Sequence, residues 1–253
     1  MEVEMKLRNV VLAAAAFAAS FSVSAQDVKV AVAANFTAPI KEIAPLYEKA
    51  TGDKLILSFG STGAFFAQIK NGAPFEVLLA ADDETPAKAV AQGLAVEGTS
   101  FTYAVGRLVM WSSDENFKAA PETLAGDAVK YVAIANPKVA PYGAAAYEAL
   151  ENLDLVDAVK PKVVQGDNIG KTYQFVKSGS AQVGFIALSQ CWKNGEFTSG
   201  SGWVVPQDLY SPIRQDAVLL KKGEGSEAAR RFLDFLKNDE QAAKIREAYG
   251  YGS

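Results

Sequence analysis

Apolar positions along the chain follow two rhythms. Short apolar runs that read as strands fall at 28–33, 55–59, 77–80, 103–111, 132–135, 162–164 and 183–187. Between them the spacing becomes helical. Ile40, Ile43, Leu46 and Tyr47 line one face of a segment that stops near Gly52, and 64–70, 85–92, 144–153 and 170–177 read the same way. This alternation, from Asp27 to about Gly184, predicts an α/β fold with largely parallel sheets covered on both faces. Beyond it, 211–220 is a long alternating strand and two helices follow. Ser226 can cap the first, whose stripe is Ala229, Phe232, Leu233 and Leu236; Asn238 or Asp239 can cap the second, which runs to Tyr249-Gly250. No repeat, low-complexity tract or Pro/Gly-rich linker interrupts the chain. If there are two lobes, 103–111 and 211–220 are the strands long enough to cross between them. Two long strands within one sheet fit the same pattern.

The N-terminus has a pattern of its own. Lys6 and Arg8 precede an apolar run, 10–23, that ends in Val23-Ser24-Ala25. A basic region, a short apolar core and a small residue before the cut predict a signal peptide over 1–25 and a mature chain from Gln26. The run is shorter than the roughly 20 residues an anchor needs, and a buried core helix is the ordinary alternative. Glu2 and Glu4 do not suit a basic region, so Met5 is the expected start. No cysteine lies near the cut, which excludes lipid attachment there and predicts a free, soluble product outside the inner membrane.

Composition then removes functions. The 253 residues include no histidine and one cysteine, with 25 Lys+Arg against 29 Asp+Glu and 49% hydrophobic content. Without histidine there is no Ser-His-Asp triad, Cys-His dyad or imidazole metal site, and Cys191 alone makes neither a disulfide nor a cysteine zinc site. Cys191 reads as a buried small hydrophobe beside Trp192. A net charge of −4 offers no global basic field for nucleic acid or anionic membrane.

What chemistry remains sits where strands lead into helices, the place ligands occupy in open α/β sheets. Four junctions are rich in small polar residues: Ala33-Ala34-Asn35-Phe36-Thr37, Ser58-Phe59-Gly60-Ser61-Thr62-Gly63, the stretch 136–143 ending Ala140-Pro141-Tyr142-Gly143, and Gly166-Asp167-Asn168-Ile169-Gly170. Each supplies free backbone N–H groups at the positive end of a helix dipole, and several add a hydroxyl or amide, which together suit an anion. Singly, Asn35 or Thr37 reads first as a helix cap, Tyr142 as loop packing and Ile169 as core. Ser61-Thr62 between two glycines offers more hydroxyls than one cap requires. Four such junctions in one chain point to a common cleft.

Other readings of these residues are weaker. Gly60-Ser61-Thr62-Gly63 lacks the lysine of a phosphate-binding loop, and no Gly-x-Gly-x-x-Gly follows a strand. Ala81-Asp82-Asp83-Glu84 could attract Mg²⁺ or Ca²⁺, but reads better as acidic residues at a helix start. Lys221-Lys222 and Arg230-Arg231 read as solvated faces. A hydrolase using Ser61 or Thr62 with Lys70 as base is conceivable, but nothing in the sequence positions that pair.

With these junctions in view, the mature chain resembles the periplasmic molybdate-binding proteins of ABC transporters. The resemblance rests on Ala33-Ala34-Asn35-Phe36, Gly60-Ser61-Thr62-Gly63, 68–74, Ala80-Ala81-Asp82, 101–109, 136–143, 184–188 and 212–218, in that order and spacing. It implies a two-lobed Venus flytrap with two crossover strands and the ligand in the interlobe cleft, lobe I being 26–106 plus 215–253 and lobe II 107–214. It implies a receptor, not an enzyme, that works without a cofactor and as a monomer. That receptor binds molybdate or tungstate and passes it to an inner-membrane permease. The implied oxyanion contacts are Asn35, Thr62, Tyr142 and Ile169 with Ser61 beside them; metal is held only as that oxyanion.

The chain departs from the enterobacterial pattern in having Asn35 where serine is common, Ala187 where that subgroup has a binding tyrosine, and Tyr142 where it has alanine. A second branch of the family offers an asparagine in the first loop, but has threonine at the position of Ala34, so one donor is missing here. A donor-only site favours fully deprotonated molybdate, tungstate and sulfate over phosphate, whose proton needs an acceptor; Asp167 is the one carboxylate in these loops and is expected to point outward. The alternatives are a sulfate or phosphate receptor, a serine-type hydrolase on the same scaffold, and a scavenging or sensory protein with the same cleft and no permease.

Overall fold

The computed structural model describes residues 25–252, and in them the alternation resolves into two five-stranded sheets. The expected signal peptide lies outside the described residues, Ala25 excepted. Strand β1 (Asp27–Ala33) turns through a 3-10 segment (Ala34–Phe36) into helix α1 (Thr37–Thr51). Then come β2 (Lys54–Gly60), α2 (Thr62–Lys70), β3 (Val77–Leu79), α3 (Glu84–Ala91) and β4 (Phe101–Gly106). A second run holds β5 (Leu108–Ser112), β6 (Val132–Ala135), α4 (Pro141–Asn152), the one-turn α5 (Val156–Val159), β7 (Val163–Gly166), α6 (Ile169–Lys177) and β8 (Val183–Ala187). A hairpin of β9 (Trp192–Lys193) and β10 (Glu196–Phe197) and the edge strand β11 (Ser201–Val204) complete it. The chain returns through β12 (Ile213–Leu219) to α7 (Glu227–Asn238) and α8 (Glu240–Ala248).

The sheet orders are β2-β1-β3-β12-β4 and β11-β5-β8-β6-β7. Each is parallel at its centre, β1 with β2 and β3, β6 with β7 and β8, and gains antiparallel strands where the chain changes lobe. The stretch 103–111 therefore does cross, but as two strands: β4 belongs to the first sheet, β5 to the second, and Arg107 stands between. The second crossing precedes its strand. β12 lies wholly in the first sheet, and the irregular 205–212 carries the chain over, with the Val205 N–H donating to the Leu108 carbonyl at 3.0 Å and the Leu108 N–H to the Tyr210 hydroxyl at 3.0 Å.

Side-chain alternation explains the layers. Val28, Val30 and Val32 point with Val77 and Leu79 to a core shared with Ile40, Ile43 and Tyr47 of α1 and Phe232 and Leu236 of α7. Ala31 and Leu78, out of phase with them, face Phe65 and Ile69 of α2 and Ala89 of α3. In the second lobe Leu108, Met110, Val132 and Ile134 pack on α4, while Val109, Trp111, Ala133 and Ile186 pack on Val176 of α6 and on Cys191. Cys191 is fully buried and free, its thiol pushed up to about 12 by burial, so it is inert packing. Each fully buried Ile, Leu or Phe contributes about 2 kcal/mol of apolar transfer.

One buried charge ties the first lobe together. Asp53, in the turn after the left-handed Gly52, accepts a paired contact from Arg231 Nε and Nη2 at 2.8–3.0 Å, the Tyr47 hydroxyl at 2.8 Å and the Gln26 N–H at 3.1 Å. Burial alone raises its carboxyl pKa, but these donors more than offset it and hold the group below the usual aspartate range. A depressed carboxylate stabilises the fold fully above its unfolded pKa of about 3.9 and loses that contribution as pH falls through the lower folded value. Asp53→Asn is expected to cost about 3 kcal/mol at pH 7, from breaking a buried ion pair. The gap to wild type in urea unfolding should shrink below about pH 4.

Candidate functional site

The four polar junctions meet. One cavity is lined by Ala33, Ala34 and Asn35 from the first, Gly60, Ser61 and Thr62 from the second, Ala140, Pro141 and Tyr142 from the third, and Ile169 from the fourth, with Ala81 beside them. Asn35, Ser61, Thr62, Tyr142 and Ile169 are thus brought together from both lobes, and each is at least 94% buried. No charged side chain lines this space. A larger groove adjoins it at Ala81, Ala140 and Pro141, but carries charged side chains of both signs, among them Asp82, Glu148, Lys138 and Arg214.

Local folding leaves donors unspent at this point. The first turn of any helix has N–H groups without intrahelical partners. Thr62 opens α2, Tyr142 is the second residue of α4 after Pro141, Ile169 opens α6, and Asn35 lies in the 3-10 turn. The caps sharpen the pattern. At α6 the Asn168 side chain takes the Lys171 N–H, leaving those of Ile169 and Gly170 uncapped by it. At α2 the Ser61 side chain stands at the cap position and caps nothing, although a cap is the commonest reason for a serine there.

Two hydroxyls have their acceptor side already occupied. Thr62 Oγ1 accepts the Ala81 N–H at 2.9 Å, and the Tyr142 hydroxyl accepts Gln215 Nε2 at 2.9 Å. Each oxygen accepts in that bond, and its own proton is not used there. Burial, with the phenols of Tyr251 and Tyr103 nearby, pushes the Tyr142 pKa far above its usual value, so it remains a neutral donor at any physiological pH.

The Asn35 amide is engaged by groups of its own lobe. Both N–H groups of its Nδ2 are used, toward Gln215 Oε1 at 2.8 Å and the Tyr251 hydroxyl at 2.9 Å. Its Oδ1 is buried without a partner, and its backbone N–H is what the 3-10 turn leaves for a ligand. Four polar residues absent from the sequence-based site hold this corner: Gln215, Tyr103, Tyr251 and Ser189. Tyr103 donates to the Ala80 carbonyl at 2.9 Å and reaches Gln215 Oε1 at 3.1 Å; Ser189 Oγ donates to the Asn35 carbonyl at 2.9 Å and lies 3.0 Å from the Tyr251 hydroxyl. Phe36 packs edge-on against both Tyr103 and Tyr251. A sequence signal existed for one of them: the alternation of Ile213, Gln215 and Ala217 puts a polar side chain on an inward face.

The lobes touch across the cavity. The Gly63 N–H donates to the Val139 carbonyl at 3.0 Å, and a Cβ at Gly63 would come within 2.9 Å of the Val139 Cα, so glycine is required for this approach. Farther out, Lys193 Nζ lies 2.6 Å from Glu42 Oε1, which also accepts the Tyr249 hydroxyl at 2.6 Å.

Several other expectations are also located. Asp82 caps the start of α3, its carboxylate accepting the Thr85 N–H and hydroxyl at 2.8 and 3.1 Å, and among the described residues no group of acidic, cysteine or histidine side chains is placed to hold a metal ion. Asp167 is exposed. Ala187 is fully buried and outside the cavity lining, whereas Ala34 lines it. Lys70 ends α2 and is exposed, about 13 Å of helix from Ser61 by the usual rise, too far to serve it as a base.

Two α/β lobes around an uncharged, donor-rich cavity define a solute receptor. The family model for bacterial extracellular solute-binding proteins matches residues 28–252, and the chain belongs to that family. It is 52% identical over 247 residues to the molybdate-binding protein ModA of Azotobacter vinelandii, covering 97% of this chain and 98% of that protein. Its fold is similar to the solved periplasmic molybdate-binding protein of Azotobacter vinelandii, with a TM-score of 0.85 and 36% identity over 89% of this chain and 99% of the other. It is also similar to the substrate-binding domain of a putative molybdenum ABC transporter from Clostridium difficile, with a TM-score of 0.65 and 27% identity over 90% and 99%.

Proposed function

We propose that this protein captures molybdate, and tungstate with it, in the periplasm and delivers it to an ABC permease. The observation that carries this reading is an uncharged cavity at which four segment starts meet, with the Thr62 and Tyr142 hydroxyls each accepting a bond from the group behind it. The oxyanion would be held by those hydroxyls, by Ser61, and by the amides of Asn35 and Ile169. A dianion enclosed by six to eight donors gains on the order of 1.5–3 kcal/mol from each charge-assisted bond. Desolvation and closure oppose this, leaving about −8 to −12 kcal/mol, a Kd between micromolar and nanomolar.

In this reading lobe I is 26–106 plus 215–253 and lobe II 107–214, and they close on the anion as a monomer. The protein is a receptor and not an enzyme: no lysine or carboxylate lines the cavity to act as a base for Ser61 or Thr62. It reaches the periplasm through cleavage of the segment 1–25, and no resident cofactor takes part.

A second reading has one observation in its favour. Asn35 lines the cavity and its Oδ1 is a buried acceptor without a partner, the feature a singly protonated oxyanion such as hydrogen phosphate would use. A thermal-shift panel of molybdate, tungstate, sulfate and phosphate separates the two, because a ligand raises Tm in proportion to its binding. Molybdate and tungstate are expected to raise it at micromolar concentration, with phosphate inert at millimolar. Stabilisation by phosphate alone would move the assignment to the second reading.

A further inference from the structure

Gln215 is not among the residues that line the cavity, yet it joins both walls of the site. It is fully buried on β12, at the point where the pairing of β12 with β4 slips between Gln215 and Asp216. Such a bulge re-aims a side chain. Its Oε1 meets Asn35 Nδ2 and the Tyr103 hydroxyl, both in the first lobe, and its Nε2 meets the Tyr142 hydroxyl of the second. Two backbone carbonyls, which can only accept, anchor this network. Tyr103 donates to Ala80 O, while Ser189 and Tyr251 donate toward Asn35 O at 2.9 and 3.1 Å. The Tyr251 oxygen is then the acceptor for Asn35 Nδ2, whose other N–H meets Gln215 Oε1. A glutamine turned the other way would set its Nε2 against the Asn35 Nδ2 donor. With Asn35 Nδ2 directed at Gln215 Oε1, the glutamine presents Nε2 to the Tyr142 hydroxyl at 2.9 Å.

We propose that Gln215 is a positioning residue that sets the polarity of the oxyanion site, fixing the Tyr142 hydroxyl as a donor to the ligand. This rests on the molybdate reading above and adds to it the reason one phenol serves a dianion without titrating. Gly106 supports the assignment, because the space beside it is occupied by these two groups: a Cβ there would lie 2.1 Å from the Tyr142 hydroxyl and 2.4 Å from Gln215 Nε2.

The test is a double-mutant cycle read by calorimetry with molybdate as the probe, at pH 8 and pH 6. The groups facing Gln215 are the phenols of Tyr103, Tyr142 and Tyr251, which burial keeps neutral throughout that range, and the Asn35 amide. Tyr142→Phe alone is expected to weaken binding about thirtyfold, one charge-assisted bond. In Gln215→Glu the carboxylate accepts the Tyr142 proton, so at pH 8 affinity falls about fiftyfold and adding Tyr142→Phe costs less than threefold more. At pH 6 the buried carboxyl takes up a proton and can donate as the amide did, and the Tyr142→Phe penalty returns.

Charge repulsion or misfolding would leave that penalty the same at both pH values, and this result would overturn the proposal. If Gln215→Glu does not fold, Gln215→Met takes its place: it fills the space without donating, and the Tyr142→Phe penalty should drop below tenfold. An undiminished penalty overturns the proposal equally. Wild-type protein that binds no molybdate would overturn the functional reading itself, which is a different outcome from intact binding without coupling.

Discussion

Gly106→Ala is expected to weaken molybdate binding about a thousandfold while the protein still folds. Gly106 ends β4 where the chain passes between lobes, and the added methyl would overlap the Tyr142 hydroxyl at 2.1 Å, the Tyr142 Cζ at 2.9 Å and Gln215 Nε2 at 2.4 Å. These three atoms belong to side chains, so strain is relieved by moving the Tyr142 and Gln215 side chains and not by breaking a sheet. Overpacking of this kind costs about 1–3 kcal/mol of stability. The affinity loss is larger in proportion. It combines the Tyr142 hydrogen bond, on the order of 1.5–3 kcal/mol, with a cleft that closes around a displaced ring, about 4 kcal/mol in all. Calorimetry and thermal unfolding measure the two effects separately. The clash explanation makes a sharper demand. Tyr142→Phe removes the atom in closest overlap, so in the Gly106→Ala background it should improve binding, although alone it weakens it. A loss that simply adds would refute the clash as the cause.

The chain carries its helical framework openly and its site only in part. α1 ends where the periodicity stops, at Gly52 with φ of 81°, and Ser226 and Asp239 cap α7 and α8 by accepting the Ala229 and Ala242 N–H groups. These are local events, decided within one turn of chain. The hairpin at 192–197 and the edge strand β11 were not expected, since elements of two to four residues carry too few positions to show a period. The backbone half of the site was legible for the local reason too: Ser61-Thr62, Pro141-Tyr142 and Asn168-Ile169 each mark a helix start. Its side-chain half was not. Asn35 and Gln215 are 180 residues apart, Tyr103 and Gln215 are 112 apart, and only the sheet order places β12 between the strands that bring them together. Asn35 lines the cavity, but the direction of its amide depends on Gln215 and Tyr251, which no neighbouring position reveals.

Thr62 is expected to separate hydroxyl chemistry from shape. Its Oγ1 accepts the Ala81 N–H at 2.9 Å in a position 99% buried, so the hydroxyl stands between a backbone donor of its own lobe and the space a ligand would fill. Thr62→Ser keeps both bonds and removes one methyl; affinity should change less than about threefold, within the effect of one small apolar contact. Thr62→Ala removes the donor to the anion and leaves the Ala81 amide to water that a closed cleft excludes. Losing one charge-assisted hydrogen bond and enclosing one unpaired N–H together come to about 3 kcal/mol, roughly a 150-fold rise in Kd. Thr62→Val is the decisive member of the series, because it fills the same volume as threonine with no hydroxyl. If polarity governs, it binds as weakly as Thr62→Ala or worse, since its methyl also bars a rescuing water. If the cavity is shaped mainly by contact, it binds like wild type, and Thr62 is then a wall of the site and not one of its donors.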